Sequence, residues 1–283
     1  MKRGQSPTVR QRELATQLRR LRTEAGLSVA EVAKALLCSP TKVSRIETGH
    51  RSASLRDVRD LCDLYRITDP DQREHLMTLA REAKQRAWWQ EGEVPYSAFV
   101  GLETEATSII DYDSAVVPGL LQTADYARAI EEAGVPPLGP DRVKRNIEAR
   151  LTRQKILTQD DPPRFRAILD EAVLHRKVGG ADVMRAQLQH VIEMTDLPNV
   201  TVQVIPYDLG AHPALDSTFT ILDFGNPDLS DVVYVEGLIG FVFLERPHDL
   251  EKYRQVAEYL RDRALSPEGS VDLIAKVADA LGR

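Results

Sequence analysis

The sequence predicts an all-α N-terminal domain of five helices followed by an α+β domain with a mostly antiparallel sheet. Three observations carry this expectation. Apolar residues recur at helical spacing, with capping residues between the runs, across residues 1–86. Runs rich in Val, Ile, Phe and Thr gather late in the chain: NVTVQVIPY, STFTILDF, VVYVEG and GFVFLE, with FRAILDEA ahead of them. Charge divides the chain as well. Residues 1–68 hold 14 Lys+Arg and 7 Asp+Glu, hence +7; the whole chain is −6, which leaves −13 for residues 69–283. A length of 283 residues allows two domains with separate cores. The expected division is 1–86, a linker at 87–96, and 97–283.

Residues 1–10 carry Lys2, Arg3 and Arg10, which suit either a basic arm or a frayed terminus. A first helix is expected over 9–25. It turns Leu14, Leu18 and Leu21 inward and Arg12, Arg19, Arg20 and Arg22 outward, and ends at Gly26. Ser28 and Glu31 form a capping-box signature that starts the second helix, with Val29, Val32, Ala33 and Leu36 on its apolar face. That pattern stops at Leu37-Cys38. Ser39 then caps a third helix, 40–47, with Pro40 at its first position, where no amide hydrogen is needed. At 100° per residue, Val43 and Ile46 fall on one side of this helix. Thr41, Ser44 and Arg45 fall opposite, and Lys42 lies on the flank. A face of hydroxyls and cations without an apolar patch suits the major groove of DNA, where it can address base edges and phosphates. After a loop at 48–51, Ser54 caps a fourth helix built on Leu55, Val58, Leu61, Cys62 and Tyr65. Asp69, Pro70 and Gln72 begin a fifth, expected to reach residue 86. Trp88 and Trp89 are expected to cement the two domains.

The run S-x-x-E-V-A-x-x-L-x-x-S-x-x-x-V-S-R-I-E-x-G, from Ser28 to Gly49, resembles the Xre-type, lambda-repressor-like helix-turn-helix regulators. That resemblance implies double-stranded DNA as the partner. There are two departures. Leu37 stands where the family often has Gly, so left-handed strain of roughly 1 kcal/mol is expected there. Val29 stands where the family often has a phosphate-touching Gln, which puts one backbone contact in doubt.

In the second domain, helices are expected over 99–112, 123–132, 141–158, 181–194, 248–264 and 267–281, the last capped by Ser266. Strands that follow one another in sequence suggest the antiparallel sheet, and Gly237 to Gly240 should turn the last two into a hairpin. The runs VPGLLQTADYARA, LDEAVLHRKVGG, NVTVQVIPY and VVYVEG resemble the C-terminal domain of unknown function in WhiJ-like bacterial regulators. That resemblance implies an antitoxin-like regulator whose C-terminal domain binds a small protein encoded by a neighbouring gene.

The chain offers no set of residues for catalysis. The histidines are scattered, and the phosphate-loop, dinucleotide-loop and nucleophile-elbow motifs are missing. No cofactor or metal is expected: Asp208, His212, Asp216 and Asp223 fall close together, but around a loop, Asp208 to Asp216, between two strands, where acidic residues commonly form turns. Cys38 and Cys62 fit no metal spacing and read as buried thiols of a reduced cytoplasm. Neither a membrane-spanning run nor a secretory signal is present, which also points to the cytoplasm.

Three functional classes fit: a regulator with a protein partner, a small-molecule-sensing regulator, and an enzyme carrying a DNA-binding head. The first is favoured, as a homodimer, since one head spans only about half a turn of groove. Thr41, Ser44 and Arg45 are expected at base edges. Lys42, Ser39, Ser28, His50 and Arg51 are expected at phosphates.

Overall fold

The computed structural model describes residues 6–85, 96–226 and 229–282. Lys2, Arg3 and the Trp88-Trp89 pair, expected as an arm and as a cement between domains, lie outside the described residues. The chain divides into two compact units, 1–105 with 224–230 and 106–223 with 231–283.

The first unit holds six helices among its described residues: α1 (Pro7–Glu24), α2 (Val29–Ala35), α3 (Pro40–Glu47), α4 (Leu55–Leu64), α5 (Pro70–Glu82) and α6 (Ser97–Glu103). The capping chemistry sets their starts. Ser28 and Ser54 each form a complete capping box, with Glu31 and Asp57, and Ser39 accepts the Lys42 amide. The ends of α1 to α4 are set by the left-handed residues Gly26, Leu37, Gly49 and Arg66. Gly26 (φ 69°) closes α1, with the Leu27 amide on the Arg22 carbonyl at 3.1 Å and the Gly26 amide on Thr23 at 3.0 Å. Leu18, Val32, Val43, Val58, Leu76 and Leu79 meet in one core. Ser6 ties α6 to the start of α1, its hydroxyl donating to the Gly101 carbonyl at 2.6 Å. The fifth helix ends at Glu82, short of the expected residue 86.

The second unit is a six-stranded sheet in the order β3-β2-β1-β4-β5-β6. Its strands are β1 (Ser108–Asp113), β2 (Arg164–Asp170), β3 (Val200–Ile205), β4 (Phe219–Asp223), β5 (Val232–Gly237) and β6 (Gly240–Leu244). The helices of this unit are α7 (Ala124–Glu132), α8 (Pro140–Gln154), α9 (Ala172–His175), α10 (Ala181–Met194), α11 (Pro247–Arg263) and α12 (Pro267–Leu281). Three of the five strand pairings are antiparallel; β1–β2 and β2–β3 are parallel, because helices cross over between those strands.

Strand β1 corrects the sequence expectation. Residues 99–112 were expected to form one helix, but the helix stops at Glu103 and Ser108–Asp113 is a central strand. Ile109 and Tyr112 sit three apart, which suits a helix face as well as a strand. Pairing with β2 on one side and β4 on the other decides the matter, and both partners are far away in sequence. One sheet face packs on α11 through Tyr112, Ile168, Phe219, Ile221 and Val233. The outer edge of β3 is closed by the chain itself. The Leu265 amide donates to the Val204 carbonyl and the Val204 amide to the Ser270 hydroxyl, both at 2.9 Å.

Of the residues considered for a metal, Asp223, at the end of β4, holds Arg254 at 2.7 Å, while His212, in the loop after β3, faces Asp170 at 3.5 Å. Cys38 departs from the expectation of burial. It follows the left-handed Leu37 at a turn and is only half-buried, whereas Cys62 is buried; both thiols are free. Among the described residues, no helix is long and apolar enough to cross a membrane.

Candidate nucleic-acid interface

The pair α2 and α3 is held in place from below. Val32 and Ala33 of α2, and Val43 and Ile46 of α3, are at most 5% exposed. The turn between the helices is a Schellman motif: the Cys38 amide bonds the Ala33 carbonyl at 2.9 Å and the Leu37 amide bonds Lys34 at 3.3 Å. Leu37 takes the left-handed position (φ 51°) that the sequence placed there, and it is 94% exposed. Its side chain therefore packs on nothing that would offset the strain. Leu37→Gly is expected to stabilise the head by about 0.5–1 kcal/mol, raising its thermal midpoint by a few degrees in a calorimetric scan.

With its two apolar anchors buried, α3 presents Thr41, Ser44 and Arg45 outward; all three are exposed. They lie at i, i+3 and i+4, so they form one face. The Arg45 guanidinium has no hydrogen bond or ion pair with any described residue. Its charge is thus fully available to a ligand.

The expected flanking contacts sit in two groups. Ser28 and Ser39 are exposed caps: the Ser28 hydroxyl donates to Glu31 Oε2 at 2.7 Å, and Ser39 accepts the Lys42 amide at 3.2 Å. Beyond α3, Gly49 (φ 69°) turns the chain into the loop that carries His50 and Arg51, both exposed. His50 Nδ1 lies 2.9 Å from the Thr48 hydroxyl. Lys42 is already engaged: its ammonium lies 2.5 Å from Asp57 Oδ1. Burial raises the Asp57 carboxyl, but Lys42 and Ser54 outweigh it and bring the group below the usual carboxylate range. A phosphate would have to draw Lys42 away from a carboxylate that also caps α4.

Sequence reasoning misplaced two arginines and missed a brace. Arg12, also expected on the outer face of α1, is half-buried, with its Nη1 shielded from solvent. Arg22, expected on the outer face of α1, turns inward, because Glu47 at the end of α3 is also largely buried and needs a cation. Arg22 Nε lies 2.7 Å from Glu47 Oε1, with side chains 15 and 6% exposed, and Arg22 Nη1 donates to the Leu27 carbonyl at 2.7 Å. The guanidinium pKa is raised, chiefly by the hydrogen bond to Glu47. The brace is Gln11. Its amide donates to the Gly49 carbonyl at 2.7 Å and its oxygen accepts from the Ser52 hydroxyl at 2.5 Å, which fixes both ends of the His50–Arg51 loop to α1. Nothing local marks a helical Gln for that role.

Two short helices joined by a tight turn, the second with a polar, cationic outer face, define a helix-turn-helix DNA-binding head. Residues 13–76 match the model of a helix-turn-helix domain, which supports a DNA-binding regulator. Residues 96–276 match the domain of unknown function DUF5753, and the chain belongs to that family. No curated protein and no solved structure matches the chain.

Proposed function

We propose that the chain is a sequence-specific transcriptional regulator of the Xre type, cytoplasmic and without catalytic activity of its own. It binds double-stranded DNA as a homodimer, through two heads on half-sites about 34 Å apart or a multiple of that. The observation that carries this reading is the α3 face, where an unpaired Arg45 stands beside Thr41 and Ser44 above a closed core. The +7 charge of residues 1–68 against −13 elsewhere supports it, since the acidic body is repelled by phosphates and the head is drawn to them.

In this reading Thr41, Ser44 and Arg45 address base edges, while Ser28, Ser39, Lys42, His50 and Arg51 hold phosphates. Arg51→Ala should then weaken all DNA sequences alike and reduce the slope of log affinity against log salt by about 1. Titrations by fluorescence anisotropy at several salt concentrations check it. The C-terminal domain is the regulatory part. The resemblance to WhiJ-like, antitoxin-like regulators suggests a small protein from a neighbouring gene as its partner.

A second reading, a small-molecule-sensing regulator, is favoured by one observation. The Tyr112 hydroxyl is buried without a hydrogen-bond partner among the described residues, and His212, whose buried Nε2 lies 3.5 Å from Asp170, stands beside it with the two rings 6.0 Å apart. They sit where β1, β2 and the loop after β3 meet, at the C-terminal ends of parallel strands, the usual place for ligands on such sheets. One experiment separates the readings. The chain is recovered from native lysate, and its shift of the DNA upstream of its own gene is measured alone, with any co-purified protein, and with a low-molecular-weight extract. A shift modulated by a stoichiometric small protein carries the first reading, and modulation by the extract carries the second. No shift on any genomic fragment at low salt contradicts both.

A further inference from the structure

We infer that the β5–β6 hairpin is the surface on which a second copy of this chain docks, with β6 pairing antiparallel to β6 of the other copy. The inference rests on the homodimer proposed above and gives it a location. Among the described strands β6 is an edge of the sheet and pairs only with β5. The opposite edge, β3, is closed by Leu265 and Ser270. An open edge strand is a template for further pairing, and proteins that must avoid this place Lys, Pro or a bulge there. Residues 237–244 read GLIGFVFL, with neither a charge nor a proline.

The turn points the same way. Gly237 pairs with Gly240, leaving Leu238-Ile239 as a two-residue connection. Such connections favour Asn, Asp or Gly for their backbone angles. Here they carry two apolar side chains exposed at 105 and 101%, so the fold of a single copy gains nothing from them. Phe241 and Val242 add to the patch at 45 and 53% exposed. The hairpin is stiff enough to present this surface. The rings of Tyr234, Phe241 and Phe243 pack across its strands at 5.3–5.6 Å.

Charge selects the occupant. Residues 69–283 carry −13, so two such bodies repel wherever their charged surfaces meet. An antiparallel β6–β6 contact about a two-fold axis sets one uncharged strip against itself and creates no like-charge pair. A strip without charge offers a basic or acidic partner nothing to complement.

Light scattering on the full chain at micromolar concentration tests the inference. Wild type should have twice the 31.7 kDa chain mass. Val242→Lys puts a charge at the edge and should weaken dimerisation at least about tenfold. A second variant, Leu238→Asn with Ile239→Gly, removes the apolar tip and leaves the edge strand itself unchanged. With the tip's apolar side chains gone it too should shift toward monomer, and it decides the matter should Val242→Lys unfold. Wild type that stays monomeric overturns the inference, even if it floats with anionic phospholipid vesicles, which would assign the hairpin to a membrane surface. Variants that dimerise like wild type overturn it equally. Monomeric variants that keep wild-type DNA affinity leave the docking surface standing and remove the two-head reading instead.

Discussion

Glu47→Ala should destabilise the DNA-binding head by about 3 kcal/mol, the lower end for breaking a buried ion pair, because Arg22 keeps some contact with solvent. The loss has three parts. The Arg22 guanidinium, only 15% exposed, is left without its carboxylate. A link between α1 and the last turn of α3 disappears. The hydrogen bond from Arg22 to the Leu27 carbonyl, at the entry to α2, then has to hold the guanidinium by itself. At about 4–8 °C per kcal/mol for a domain of this size, the midpoint of the head should fall by about 12–24 °C. Circular dichroism on the full chain reads this as an early helical transition. Replacing both partners by apolar residues, Arg22→Met with Glu47→Leu, should cost less than Glu47→Ala alone, since no charge is then stranded. Equal stability of Glu47→Ala and wild type would show that the pair does not position α3.

Arg45→Ala should cost about 1–3 kcal/mol of binding to the preferred site and alter the preferred sequence, with no loss of stability. The structural reason is its isolation. No hydrogen bond or ion pair with a described residue is broken by the substitution, so the folded state loses nothing there that water does not replace. This separates it from Glu47→Ala, which damages binding through the fold. It also separates it from Arg51→Ala, which lowers affinity without changing preference. Wild-type affinity and preference in Arg45→Ala would move the reading face elsewhere.

What was legible in the sequence is what local chemistry determines. Ser28, Ser39 and Ser54 cap where the capping signatures put them, Leu37 takes the left-handed turn, and Val43 and Ile46 anchor α3, because each depends on neighbours within four or five residues. The errors are long-range. Arg22 looked like one more outward arginine until Glu47 met it 25 positions later. Lys42 looked free because Asp57, its partner, lies on another helix. Strand β1 looked helical because both of its neighbours are remote. Tyr112 and His212 showed no pattern at all, since only the sheet brings a strand residue and a loop residue together.

The central claim, that the α3 face reads DNA sequence, is tested most directly by selection from a random duplex library, run in parallel with wild type and Arg45→Ala. The account predicts that wild type enriches a motif of two half-sites one helical turn or a multiple apart, and that the variant enriches a motif changed at corresponding positions in both halves. Failure of wild type to enrich any motif, or recovery of the same motif by both proteins, would contradict it.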